Sequence, residues 1–241
     1  MSDLGALLFA RYAYPPNELG YCGPDGAALL LRADLPGEIA RRARGFEGAW
    51  AYLCFLARTT GVSDPLDPAI VSAYWVGDAL PDRQFPDLLP FLRSHFLSQR
   101  GGTWQSADGR AVPHHSFHVF EVYPWTELLR RTENPAAVTV LDRCRIRTGT
   151  VVSVAAETAT VTSRPLTWDG ATLAAGPPAE EQVTWSSGGR SLLKGVAPGD
   201  RVALHWDWLC DRITENQAAR IETLEARQLS ALFPKTVVPP V

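Results

Sequence analysis

Apolar and polar positions alternate with two different periods along this chain. The first half carries helical spacing and the second carries strand spacing. Over residues 36–58, Ile39, Ala43, Phe46, Trp50, Leu53 and Ala57 recur at steps of three and four. This is one apolar stripe, and it predicts a helix that starts at Pro36 and stops before Gly61. A shorter apolar-aromatic helix is expected over 6–14, halted by Pro15-Pro16, followed by a Gly/Pro loop over 17–26 and a short helix at Leu29–Leu31. Asp64-Pro65 should cap a helix reaching about Val76, and residues 85–99 give another. A polar loop follows over 103–113. The aromatic run 116–131 reads as helix, with Pro124 as a kink or a restart.

Beyond Asn134-Pro135 the pattern changes. Residues 136–142 fit a last short helix or a strand. From Arg143 the residues alternate: Cys144, Ile146 and Thr148 face one way, and Arg143, Arg145 and Arg147 the other. Short strands are expected at 151–154, 158–162 and 183–185, separated by turn clusters, with a Trp-Asp-Gly turn inside 167–173. Over 201–208, Val202, Leu204 and Trp206 share one face and His205 and Asp207 the other. Thr214 and Gln217 have the spacing of a capping box for a final helix, whose seam is Ile221, Leu224 and Leu229. The predicted class is α+β: an all-helical domain over 1–135, an OB-like β-barrel with a C-terminal helix over 143–230, and a tail over 231–241.

The chain has 241 residues, of which 46% are hydrophobic and 20% charged, enough for a sizeable core. A net charge of −3 gives no reason to expect nucleic acid or an acidic membrane as partner. No apolar run approaches the roughly 20 residues of a membrane span, and the start lacks a basic, signal-like segment, so a cytoplasmic protein is expected. The four cysteines, 22, 54, 144 and 210, form no CxxC pair, which speaks against a structural zinc site and for free thiols. Neither GxxxxGK[ST], GxGxxG nor GxSxG occurs, so nucleotide binding and α/β-hydrolase chemistry have no support.

Three groups of residues carry candidate chemistry. His114 and His118 stand at i and i+4, the spacing of a two-histidine half-site on a helix, and Glu121 could add a carboxylate. A metalloenzyme using this trio is one possible function; imidazoles hydrogen-bonded in an aromatic interface are the plainer account. Cys22 lies in a Gly/Pro loop whose backbone can approach a partner closely. Cys144 and His205 mark the first and last strands of the β-rich part. A thiolate and an imidazole are ligands for iron, copper or zinc, and three neighbouring arginines should favour the thiolate.

The stretch over about residues 143–230 resembles the HypC/HupF family, small chaperones of [NiFe] hydrogenase assembly. Cys144 and Gly149 keep that family's Cys-x-x-x-Pro-Gly offset, with Thr148 in place of proline. Pro198-Gly199-Asp200-Arg201-Val202-Ala203-Leu204-His205 matches its Gly-Asp strand and histidine, and a helix follows in both. The resemblance covers roughly the last two fifths of the chain. It implies an accessory role in place of turnover catalysis, and iron, carried as Fe(CN)2CO, as a transient cargo on Cys144 and His205. It also implies a hydrogenase maturation protein or large-subunit precursor as partner. Arg145 and Asp207 would support such a site. A protein-interaction module without metal is the third possible function.

Overall fold

A computed structural model describes residues 2–234. Helices come first, then strands, then one long helix. The helices are α1 (Asp3–Glu18), α2 (Pro36–Ala43), α3 (Glu47–Thr60), α4 (Pro68–Trp75), α5 (Leu88–His95), α6 (His115–Phe117), α7 (Trp125–Thr132) and α8 (Pro135–Cys144). The strands are β1 (Arg147–Val154), β2 (Thr158–Ser163), β3 (Leu166–Trp168), β4 (Leu173–Ala175), β5 (Ala179–Thr184), β6 (Arg201–His205) and β7 (Trp208–Arg212), and α9 (Glu215–Leu232) closes the order.

Several helical boundaries differ from the expected ones. α1 runs straight through Pro15 and Pro16. Proline in a helix interior removes an amide donor and crowds the carbonyl four residues back. Here the bulk of the last turns is buried against the body of the protein, and tertiary packing overrides the local preference. The stripe expected to form one helix over 36–58 breaks at Gly45, where a Cβ would lie 3.1 Å from the ring of Pro24. Ile39, Ala43, Phe46, Leu53 and Ala57 are nevertheless all buried, on α2, the break and α3. Asp67, not Asp64, caps α4, accepting from the amide of Ala69 at 2.9 Å. Asp64 instead accepts from the amides of Ser2 and Leu66.

Five strands pair in the cyclic order β1-β2-β5-β7-β6, while β3 and β4 form a separate hairpin. All contacts in the cycle are antiparallel except β5 to β7, which meet in parallel at Thr184 and Trp208. Val151, Ala159, Val161, Val183, Val202, Leu204 and Leu209 fill the space between these strands. Gly149 is required for closeness on that inner side: a Cβ there would sit 2.4 Å from Val161.

The helical and strand parts share one core. Phe9, Tyr12, Trp75 and Phe117 belong to the same buried cluster as Ile146, Ala203, Cys210, Ile213 and Ile221. α9 docks through Ile221 and Leu224, and its capping box is present, with Thr214 and Gln217 satisfying each other's backbone amides. Of the expected tail, Leu232 ends α9 and Phe233 is buried; residues 235–241 lie outside the described residues. Among the described residues no helix is long and apolar enough to cross a membrane.

Candidate metal centre

Undecided in the sequence, residues 135–144 fold as helix, because Asn134 caps the amide of Ala136 and Pro135 fits the first turn. Cys144 therefore closes a helix and does not open a strand. Likewise the strand expected over 201–208 is two strands, with a turn at Trp206-Asp207 between them. Trp206 occupies the left-handed region, with φ 54°. That conformation is unfavourable for a bulky side chain and persists where surroundings fix it. Its amide donates to the Arg143 carbonyl at 2.7 Å, and its carbonyl accepts from Arg147 at 2.9 Å. The turn is thus bolted to the end of α8, which brings His205 to Cys144.

His115 joins them. Among the described residues, His115, Cys144 and His205 form a buried group whose candidate ligand atoms all lie within 4.8 Å of one another. The His115 and His205 rings meet edge-on at 5.1 Å, and Trp75 packs against both. The hydrogen bonds fix the tautomers, because a carbonyl oxygen only accepts. Nδ1 of His205 donates to the Tyr12 carbonyl at 2.7 Å, so its Nε2 carries a bare lone pair, and that atom has no partner. Nε2 of His115 donates to the Cys144 carbonyl at 2.8 Å, which leaves Nδ1 to accept from the Tyr74 hydroxyl at 3.2 Å.

The Tyr12 carbonyl is available for a specific reason. In a regular helix it would accept from the amide of residue 16. That residue is Pro16, which has no amide hydrogen. The proline pair thus leaves, inside α1, a free acceptor aimed at His205. Metal-binding histidines commonly have this arrangement, with one nitrogen donating to a carbonyl and the other presented to the ion.

Burial keeps every member neutral. Desolvation lowers His115 to about 4 and depresses His205 strongly, and it raises the Cys144 thiol. The expected activation of Cys144 by its arginine neighbours is absent. Arg143 pairs with Glu181 and Asp207, Arg145 with Asp142 and Glu225, and Arg147 with Glu181. Arg145 and Asp207 are consequently ties between elements and do not line the cavity beside Cys144.

That cavity, about 660 Å³, is bounded by Cys22, Tyr74, Trp75, His115, Cys144 and His205, with His118 and Tyr123 further along. The trio His114, His118 and Glu121 does not converge. His114 is extended, not helical, and its Nδ1 faces Ser116 at 2.8 Å. His118 enters the cavity wall among Tyr52, Phe96 and Tyr123. Glu121 is fully buried in an ion pair with Arg110. The helix also changes pitch to a π-turn over His118–Val122, which alters which residues share a face. His115 escaped notice for that reason, although the His114-His115 pair was its visible sign.

Fold and site together describe a helical body closed by a strand cycle around a buried, neutral N/S pocket. The chain belongs to the family of unknown function DUF6390, whose profile matches residues 1–236. No curated protein and no solved structure matches it.

Proposed function

We propose that this protein is an accessory factor of [NiFe] hydrogenase assembly that holds iron as cargo on Cys144 and His205, with His115 as a third donor. The observation that carries the reading is the bare Nε2 of His205, buried, unpartnered and grouped with the Cys144 sulfur and His115. An unpaired acceptor in a buried site costs stability unless something occupies it. A soft thiolate with imidazoles suits iron, copper or zinc. The order of cysteine, strands, a histidine at the end of β6 and a final helix also supports the likeness to HypC/HupF chaperones and their OB-like barrel. A cavity of about 660 Å³ has room for an ion that brings ligands of its own.

The chain's part in this function is binding and orientation. Cys144 gives up its thiol proton on binding, His205 is held by the Tyr12 carbonyl, and His115 exchanges the Tyr74 hydroxyl for the ion. Trp75 packs against both imidazoles and holds their rings in place. The cyanide and carbonyl groups of the cargo come from the partner machinery, and the docking partner in this reading is a maturation protein or the large-subunit precursor.

The test is anaerobic co-expression with hydrogenase maturation proteins, followed by iron analysis and infrared spectroscopy. Expected are cyanide and carbonyl stretches in the purified chain and their loss in Cys144→Ser and His205→Ala. Iron-free protein without those bands would sink the proposal.

A further inference from the structure

We propose that Cys22 is a fourth ligand of this centre, so that a thiophilic divalent ion is held by two imidazoles and two thiolates, one thiolate from each half of the chain. The inference rests on the His115, Cys144 and His205 donor group above and concerns a bare divalent ion, one without cyanide or carbonyl ligands, which needs a fourth donor from the chain. Cys22 lines the same cavity as His115, Cys144 and His205, and it is a free thiol. It stands outside the 4.8 Å group, on the wall formed by the loop over 19–26.

Charge is the first argument. A divalent cation buried with neutral histidines and a single thiolate keeps one uncompensated positive charge, which is costly away from water. The other acidic side chain around this cavity, Glu47, is exposed to solvent. A second thiolate brings the centre to neutrality. Two sulfurs and two nitrogens in tetrahedral array are a well-suited set for zinc, cobalt(II) or iron(II).

The loop itself is the second argument. It leaves α1, whose Tyr12 carbonyl orients His205, and reaches Trp206, the residue after His205, on which Tyr21 stacks at 4.1 Å. Cys22 follows Tyr21 directly and lines the cavity that His205 enters. Gly20, Gly23 and Gly26 all have positive φ, so the loop carries three points that can rotate without strain at a Cβ. Asn17 holds it by donating to the carbonyls of Cys22 and Pro24, each at 2.8 Å. These ties hold the Cys22 and Pro24 carbonyls and do not involve the thiol.

Binding replaces two S–H bonds with two sulfur–metal bonds and sends two protons to solvent. This can be counted. The full-length chain, reduced and anaerobic, is titrated with Co2+. The near-ultraviolet sulfur-to-cobalt absorption is followed, and calorimetry in buffers of different ionisation enthalpy gives the protons released. Wild type should release about two protons per ion, and Cys22→Ser about one with roughly half the absorption. Cys22→Ala should behave as Cys22→Ser, with melting curves of the apo proteins confirming that each is folded. Should both variants match wild type in absorption and proton count, Cys22 is not a ligand, and the three-residue centre stands without it. Wild type that takes up no cobalt overturns the centre and this inference together.

Discussion

The Nδ1 of His205 donates to the backbone carbonyl of Tyr12 at 2.7 Å, across 193 positions of sequence. The acceptor is free because Pro16 cannot use it, so a proline in α1 and a histidine at the end of β6 form one device. Its effect is to fix the tautomer of His205 and to present Nε2 to the cavity.

Replacing Pro16 with Ala restores an amide that competes for the same carbonyl. The helix should be no less stable, since alanine favours helix far more than proline does. Metal affinity should fall by about tenfold, the lower end of what loss of an orienting partner costs. A Co2+ titration beside a thermal melt separates the two effects, and unchanged affinity would remove Pro16 from the account.

Tyr74→Phe acts in the opposite direction on His115. The hydroxyl occupies Nδ1, the nitrogen His115 would offer to an ion. Its removal should tighten binding about fivefold, the equivalent of one hydrogen bond of about 1 kcal/mol no longer being displaced. Weaker binding would mean that Tyr74 helps hold the ligand set together.

Stability should depend on pH at both ends of the range. Burial lowers His114 and His118 to about 3 and His115 to about 4, and His205 moves the same way. The unfolded chain takes up these protons below about pH 6.5 while the folded chain does not. Unfolding free energy is therefore full above that value and falls as pH drops towards 4. The slope is up to about 1.4 kcal/mol per pH unit for each histidine. The thiols of Cys22, Cys144 and Cys210, all raised by burial, impose a second decline above about pH 8.5, where the unfolded chain ionises first. Urea titrations from pH 4 to 10 would trace a plateau between these limits; a flat profile down to pH 4 would contradict the neutral histidines.

Glu225→Gln should be among the more damaging single changes outside the centre. Both Glu225 oxygens accept from Arg145, at 2.7 and 2.6 Å, and both side chains are nearly enclosed. Leaving the guanidinium with Asp142 and the Arg164 carbonyl should cost about 3 kcal/mol, at the low end for a broken buried pair because one ionic partner remains. Denaturant unfolding measures this directly, and a loss under about 1 kcal/mol would show the pair to be screened.

The sequence displayed much of this organisation because local rules and packing agreed there. The Thr214–Gln217 box, the strands at 151–154 and 158–162 and the order of helices before strands all followed from spacing alone. Cys144 and His205 were visible as the chemically distinct residues at the two ends of the β-rich part. What stayed hidden depended on contacts distant in sequence. Pro15 and Pro16 read as a stop because the body of the protein that covers them is formed by other segments. His115 was passed over for His114 and His118, since the i, i+4 rule holds only on a regular helix. His114 precedes the helix and a π-turn begins at His118. The arginines around Cys144 looked like activators because sequence could not show the carboxylates that hold each of them.

The candidate ligands and their supports come from α1, α6, α8 and the end of β6, so the centre spans residues 12 to 205. A polypeptide still emerging from the ribosome cannot complete it until β6 docks on α1. Occupancy would therefore report completed folding, and unfinished chains would be unable to scavenge the cell's scarce metal.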